Sequence, residues 1–166
     1  MEIGRILRHV LAEGSARRHF PDTVLDAIQH AVAAGERRHQ EQVCFVAEGA
    51  LEFAALWKRT TPRQRAQEVF SHLRVWDTQQ NSGVLIYVLL ADHAIEIVAD
   101  RGIAAKVDAE QWQSICTQIQ KRFVAGEFEQ GAIESVTAVS DVLTLHFPRN
   151  ADSPDANELP DRPVLL

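Results

Sequence analysis

The sequence predicts an α/β protein, a three-layer α/β/α sandwich around a small mixed β-sheet with a central β-hairpin. Three apolar runs, at 42–49, 83–92 and 93–100, have the length and composition of strands, and helical periodicity surrounds them. The second and third runs adjoin, so they must form an antiparallel hairpin. The first and second are joined through helices, which predicts a parallel pair. Because the second run is apolar on both faces, we expect it in mid-sheet beneath helices on both sides.

The chain begins with an amphipathic helix whose apolar positions recur at helical spacing among arginine and histidine residues. These apolar positions are Ile3, Ile6, Leu7, Val10 and Leu11. The stripe could lie on an acidic membrane, but we favour docking on the rest of its own domain. A second helix follows over about 22–34, with Thr23 and Asp26 as a capping box and Gly35 as its stop.

Between the first two strands, 49–59 can form a short helix, and the next helix has the firmest start in the sequence. Thr61 stands at the N-cap, Pro62 at the first helical position and Gln64 at the capping-box position. A basic cluster brackets this start and could meet an anion, although such clusters are more often solvated. The cluster consists of Lys58, Arg59, Arg63 and Arg65.

Two further helices are predicted after the hairpin. The first, over 108–123, begins with Asp108 and Gln111 as a capping box, and the second spans about 127–146. From Pro148 onward, proline residues among Asp, Asn and Ser predict disorder. We therefore expect an N-terminal amphipathic helix at 1–19, a folded domain at 20–147 and a disordered tail at 148–166.

Composition excludes several classes of function. The formal charge of −6, from 23 acids against 17 bases, argues against a nucleic-acid binder, because phosphate neutralisation needs a basic face. Both cysteines lie in apolar runs, which is typical of buried thiols in a reducing compartment. No apolar run is long enough to span a bilayer, so we expect a soluble, cytoplasmic protein. Phosphate-loop and zinc-ligand spacings do not occur.

The hairpin predicts one cluster of polar side chains. Its geometry places Asp77 and Asn81, before the first hairpin strand, at the same sheet end as Asp100 and Arg101, after the second. Carboxylate and amide oxygens from Asp77, Asn81 and Asp100 are ligands that Ca²⁺ or Mg²⁺ prefers. Asp100 and Arg101 are the candidate catalytic residues, since an arginine beside a metal could hold a phosphoryl oxygen.

Two alternatives compete with that site. In a purely structural interpretation, Asp77 and Asn81 cap turns, Asp100 pairs with Arg101 at the surface, and Gly102 supplies a positive φ. The other alternative is a metal site at the opposite sheet end. Its candidates are Glu48 and Asp92, with His93 nearby, at the carboxyl ends of the parallel strands, where open α/β sheets bind ligands.

Several stretches resemble the TPM domain family, in its order and over about residues 20–147. They are "FPDTVLDAIQHAV", "QVCFVAEG", "VFSHLRVWDTQQNSGVLIYVLLADHAIEIVADRGI" and "KRFVAGEFEQGAIESV". The resemblance implies an α/β/α fold and three properties seen among members: phosphatase activity, binding of divalent cations such as calcium, and accessory roles toward membrane-protein complexes. The sequence departs from the family in three respects: Ser82 where many relatives repeat asparagine, Asp77 where many have glycine, and no export signal or membrane anchor.

Two functional hypotheses follow. The favoured one is an accessory or interaction domain with divalent-cation binding, acting on a protein partner that could itself be membrane-associated. The alternative, which rests on the resemblance, is a metal-assisted acid phosphatase acting on phosphate monoesters. No nucleic-acid partner and no transmembrane segment are expected.

Overall fold

The computed structural model describes residues 3–153 and 157–166. It contains a four-stranded mixed sheet in the order β3-β2-β1-β4. The strands are β1 (Gln42–Glu48), β2 (Gly83–Leu89), β3 (Ala94–Ala99) and β4 (Val164–Leu165). β1 pairs in parallel with β2 and β4, and β2 pairs antiparallel with β3. The predicted hairpin and the predicted parallel pair are both confirmed.

Eight helices surround the sheet within the described residues. They are α1 (Ile3–Ala12), α2 (Ser15–His19), α3 (Asp22–Glu36), α4 (Phe53–Trp57), α5 (Pro62–His72), α6 (Arg101–Ala104), α7 (Ala109–Val124) and α8 (Phe128–His146). A short 3₁₀ turn, Leu90–Asp92, connects β2 to β3. The predicted short helix within 49–59 is the single turn of α4.

Two apolar cores make the sandwich three layers deep. One face of the sheet packs against α3, α7 and α8, and the other packs against α4 and α5. Every residue of β1 and β2 is buried, and alternate side chains enter the two cores, as Val84 and Leu85 do. This arrangement explains why the second strand is apolar on both faces, and it confirms the predicted α/β/α class.

The observed helix ends can be compared with the capping boxes and the glycine stop that the sequence predicts. The capping box of Thr61 and Gln64 is present, with Gln64 N–H donating to Thr61 Oγ1 at 3.2 Å. The other two boxes are wrong, because Pro21 is the N-cap of α3 and Asp108 makes no side-chain cap. Gly35 does not stop α3 but lies inside it, where a Cβ would collide with Ser140 of α8. Its smallness allows two helices to approach closely.

The prediction of a disordered tail is wrong for the part of 148–166 that the structure describes. Val164 and Leu165 pair with β1, and Leu159 is buried in the core that contains α5. Arg162 contacts Asp26 of α3 at 2.8 Å. The open edge of β1 supplies the hydrogen bonds that order this polar segment, and composition alone does not reveal that edge.

Glu36 introduces a pH dependence into the fold. Its carboxylate is buried beside β1, where Oε1 accepts a hydrogen bond from Val43 N–H at 2.8 Å. Burial raises the pKa of Glu36 to about 7, and burial likewise raises the pKa of Glu41 to about 7. The folded state therefore holds protons that the unfolded chain releases nearer its ordinary pKa.

The contribution of Glu36 and Glu41 to the free energy of unfolding should accordingly fall as the pH rises from about 5 to about 8, whereas His39, whose pKa burial lowers to about 4, contributes in the opposite direction below about pH 6.5. Glu36→Gln should remove roughly 2–3 kcal/mol of that fall, because the amide stays neutral. Urea denaturation across this pH range measures the effect. Exposed Glu129 offers a matched control, since Glu129→Gln should leave the slope unchanged. An identical pH slope in wild type and Glu36→Gln would contradict the assignment.

Candidate functional site

The base of the hairpin brings together most of the polar residues that the sequence singled out. We define the hairpin-base corner as residues 77–82 and 100–102. Gly102 N–H donates to the carbonyl of Asn81 at 3.2 Å, and Asp100 N–H donates to that of Gly83 at 2.9 Å. Asn81 has a φ of 52°, a left-handed conformation that asparagine tolerates. Backbone hydrogen bonds thus place the two segments of the predicted site side by side.

Asp100 is the buried carboxylate of this corner. Oδ1 accepts the backbone N–H of Arg101 at 2.7 Å, which makes Asp100 the N-cap of α6. Oδ2 is buried and has no hydrogen-bond partner within the described residues. An unpaired buried oxygen is costly, so it marks a place where a cation or water would be favourable.

Gly102 matters for a different reason from the one predicted. Its φ is not positive. A Cβ at this position would lie 2.7 Å from the Asn81 carbonyl oxygen and 2.8 Å from that of Gln80. Glycine therefore permits the close approach of α6 to the 77–82 loop, and it keeps carbonyl oxygens beside Asp100.

The remaining predicted residues of the corner are exposed. Asp77 contacts Arg74 at 3.9 Å, and Arg101 lies at the first position of α6. The structure shows a hydrogen bond from the backbone N–H of Arg101 to Asp100 Oδ1 in place of the surface ion pair predicted between their side chains. Over residues 3–153 and 157–166, no three His, Cys, Asp or Glu side chains cluster to hold a metal. A cation here would therefore depend on Asp100, neighbouring carbonyl or amide oxygens, and water.

At the opposite sheet end, Glu48 is fully engaged by protein groups. Arg65 binds both of its oxygens at 2.9 Å, and Tyr87 Oη donates to Oε2 at 2.5 Å. Burial, together with the adjacent Glu48 charge, raises the pKa of Tyr87. These bonds occupy the oxygens that a metal would need, which does not favour Glu48 as a ligand.

Asp92, the second acid at this end, binds the first helix. Arg5 donates to its Oδ2 from Nη2 at 2.8 Å and from Nε at 3.1 Å, while Arg8 Nη2 lies 3.6 Å from Oδ1. Burial acts to raise the pKa of Asp92, but the Arg5 and His9 interactions outweigh it and lower the pKa. Asp92 is thus a charged anchor rather than an open ligand.

His9 completes this anchor. It is 1% exposed, and its Nδ1 accepts the backbone N–H of Leu51 at 2.9 Å. Nε2 must then carry the proton that is shared with Asp92 Oδ1 at 3.2 Å. Burial lowers the pKa of His9, which favours this neutral form. Arg5 adds a hydrogen bond to the carbonyl of Thr60 at 2.9 Å. We call Arg5, His9 and Asp92 the α1 anchor.

The anchor reverses the predicted orientation of α1. The helix does dock on its own domain, but it does so with its polar side. Its apolar stripe faces outward, where four side chains are 57–78% exposed. With two exposed aromatic residues of α4, they form a surface that we call the outward apolar face. It comprises Ile3, Leu7, Val10, Leu11, Phe53 and Trp57.

The apolar stripe of α1 dominates the sequence pattern, so the α1 anchor was not predicted. The available signal was the pair Arg5 and His9, one helical turn apart on the side opposite Leu7 and Leu11. Such a pair could have been matched to an acid elsewhere in the chain. Its partner, Asp92, is distant in sequence and looked like an ordinary turn residue.

Comparison with known proteins assigns the chain to a family. The family described as the TPM domain matches residues 19–142. The chain belongs to the TPM domain family. A similar solved structure is the NMR structure of BA42 protein from the psychrophilic bacterium Bizionia argentinensis sp. nov.. It is 27% identical, has a TM-score of 0.72, and the match covers 86% of this chain and 92% of that one. No curated protein matches.

In this TPM domain the match begins after α1 and includes Asp92. The α1 anchor therefore joins a helix outside the matched region to an acid inside it. None of the described helices is long and apolar enough to cross a membrane.

Asp92→Ala tests the anchor. It should lower the free energy of unfolding by roughly 2–4 kcal/mol, because it leaves partly buried Arg5 and buried His9 without their partner. Hydrogen exchange of residues 3–12 should rise markedly while β1 and β2 stay protected. Asp77→Ala, at an exposed aspartate, should change neither quantity appreciably. Unaltered exchange in α1 of Asp92→Ala would show that other contacts hold the helix.

Proposed function

We propose that this TPM domain acts as a non-catalytic interaction domain whose docking surface is the outward apolar face. The orientation of α1 carries the proposal. A helix that only completes the fold would bury its apolar stripe and leave arginine in water. Here buried polar bonds hold the helix the other way, so large apolar side chains stand in solvent. Contiguous exposed apolar surface is typical of a binding site.

The surroundings of this face support recognition. Phe53 and Trp57 lie with ring centroids 6.2 Å apart at the solvent side of α4. A cleft of about 340 Å³ separates α4 from α1, and its lining includes Val10, Leu51 and Phe53. Aromatic side chains provide much of the binding energy of protein surfaces.

The ionisable groups offer little support for catalysis. The acids at the carboxyl ends of β1 and of the 3₁₀ turn are neutralised by arginine. Burial raises the pKa of Cys44 to about 11 and that of Cys116 to about 12, so neither thiol is an activated nucleophile. A cytoplasmic location remains a prediction from the sequence.

Size fractionation of a lysate tests the interaction function. Wild-type chain should migrate in assemblies larger than itself, and Leu7→Glu with Leu11→Glu should migrate alone, because charge on the apolar face opposes its burial. Val124→Glu with Leu145→Glu is a matched control at exposed apolar positions outside the defined face. Equal migration of wild type and the Leu7, Leu11 variant would contradict the proposal.

A second candidate, divalent-cation binding with phosphatase activity, is favoured by one observation, the unpartnered Oδ2 of Asp100. An ion held by Asp100, with an oxygen of Asn81, would polarise a phosphoryl group, and Arg101 would contact its oxygens. Asp77 would join only from the exposed part of the loop. We propose cation binding here as a property of the same domain and treat hydrolysis as the alternative function.

Titration with Ca²⁺ and with Mg²⁺, followed by backbone amide shifts, separates these possibilities. Wild type should show shifts confined to 77–83 and 99–103, and Asp100→Asn should lose them while it retains the N-cap of α6. The rate of aryl phosphate hydrolysis by wild type should equal the rate with Asp100→Asn. Metal-dependent turnover lost in Asp100→Asn and kept in Asp77→Asn would replace the interaction function with a phosphatase. Shifts at Glu48 or Asp92 instead would move the cation site to the opposite end.

A further inference from the structure

We infer that the cleft between α1 and α4 binds a short cationic, amphipathic segment of a partner protein. A large apolar side chain of that segment enters the cleft, and lysine or arginine side chains next to it contact Glu13 and Glu52. The inference rests on the proposed interaction function and names the chemistry of the partner. Three features of the described residues carry it: the lining of the cleft, the charge at its border and the contacts that fix its walls.

The inside of the cleft is largely apolar. Val10 lines it from α1, and Leu51, Phe53 and Leu56 line it from the segment that contains α4. Val10 is 61% exposed and Phe53 is 64% exposed, so each still has apolar surface that a partner can bury. The volume of about 340 Å³ lies near the lower end of the range for ligand pockets, about 300–1,000 Å³, and so suits one large side chain rather than a whole helix.

Two acids without an ionic partner border the cleft. Glu13 and Glu52 belong to its lining, and both side chains are exposed. Neither carboxylate forms an ion pair or a hydrogen bond with a residue in the described part of the chain, and Glu52 makes no side-chain cap for α4. The described lining contains no lysine or arginine. The cleft therefore presents apolar surface beside negative charge, which is complementary to an apolar segment that carries bases.

The bases that follow Glu13 in the sequence do not pair with it. Arg17 belongs to the next helix, α2, and no ion pair joins it to Glu13 within the part of the chain that the structure describes. Arg18 lines a different cleft, together with Glu127 and Glu129. The charge of Glu13 is therefore available to a partner.

The other bases of α1 and α4 are also separate from the cleft. Arg8 Nη2 lies 3.6 Å from Asp92 Oδ1, so its charge is directed toward the α1 anchor. Lys58 and Arg59 follow α4, whereas Glu52 precedes it. The helical rise places Lys58 roughly 9 Å from Glu52 along the axis, about one Debye length at physiological ionic strength. These bases therefore do not neutralise the acids of the cleft.

Buried hydrogen bonds fix the walls of the cleft. His9 is part of the lining, and its Nδ1 accepts the backbone N–H of Leu51 at 2.9 Å. Nε2 of the same ring bonds Asp92, so one side chain connects α1, the turn after β2 and the segment before α4. Walls that are formed in advance reduce the ordering cost of binding. The cleft is thus suited to a segment that becomes ordered as it binds, as in helix-in-groove recognition.

A partner segment agrees with these observations better than a second copy or an anionic bilayer does. A two-fold contact through the cleft would bring the acids of one copy toward those of the other. Anionic headgroups would likewise repel Glu13 and Glu52. Leu7 and Trp57 extend the exposed apolar surface beyond the lining of the cleft, so the occupant is longer than one side chain. Both alternatives are outcomes of the tests.

Fluorescence anisotropy with the purified full chain tests the charge preference. The probes are two short labelled peptides with the same leucine spacing, one with lysine and the other with glutamate at the polar positions. The lysine peptide should bind more tightly by about tenfold or more, and added salt should weaken its binding. Glu13→Gln with Glu52→Gln should weaken binding of the lysine peptide by roughly three- to tenfold. Equal affinity for the two peptides would overturn the inference.

Glu110→Gln with Glu129→Gln is the matched control, because it changes the net charge equally at exposed positions outside the cleft. This variant should bind the lysine peptide as wild type does, and circular dichroism should show that every variant is folded. An equal loss in the two double variants would reduce the effect to net charge and overturn the assigned site. Backbone amide shifts caused by the lysine peptide should lie within 7–14 and 49–58, and shifts confined to other segments would contradict that site as well.

The outcomes separate this inference from the proposed function. Lysate assemblies that depend on Leu7 and Leu11, without a preference for the lysine peptide, would overturn the cationic partner and retain the interaction function. A dimer in sedimentation that Leu7→Glu with Leu11→Glu dissociates would assign the face to a second copy. Flotation with phosphatidylglycerol vesicles that the same variant loses would assign it to a bilayer, and either result would overturn the cationic partner. Absence of both peptide binding and lysate assemblies would overturn both proposals.

Discussion

One carboxylate, that of Asp92, binds the polar side of the first helix. Asp92 lies in the turn between β2 and β3, and it is close enough to Arg5 and His9 to form charged and neutral hydrogen bonds together. Since His9 also accepts from Leu51, its ring cannot rotate outward without the loss of two bonds. Leaving these groups unpaired in the interior would be costly, so the polar side of α1 stays against the protein. The stripe therefore remains outside.

At the same end of the sheet, two acidic side chains form internal bonds that hold the fold together. Open α/β sheets commonly bind ligands beyond the carboxyl ends of their parallel strands. In this TPM domain Arg65 and Tyr87 bind Glu48, and α1 covers Asp92. Internal ion pairs and hydrogen bonds therefore engage both acids at this sheet end. The surface that remains exposed at α1 and α4 carries large apolar side chains.

The hairpin-base corner is organised by a close backbone approach and by a helix cap. A glycine without a side chain allows α6 to approach the 77–82 loop, and the first oxygen of Asp100 caps that helix. The second oxygen is left without a partner among the described residues. This combination gives the corner one buried acceptor and adjacent carbonyl oxygens. Among the described residues, no group of three His, Cys, Asp or Glu side chains lies there to hold a metal.

The sequence by itself determined the α/β/α class, the hairpin and the start of α5, because periodicity and the Thr61 capping box are local signals. It also brought Asn81 and Asp100 together, since a tight hairpin fixes its register. Only the tertiary structure decided that Gly35 and Gly102 serve close packing, that the segment ending at Leu166 completes the sheet edge, and that Asp92 faces α1. These features join residues far apart in the chain, and a one-dimensional pattern carries no information about which distant acid meets which base. The side of α1 that faces the protein was for that reason decided by a contact rather than by hydrophobicity.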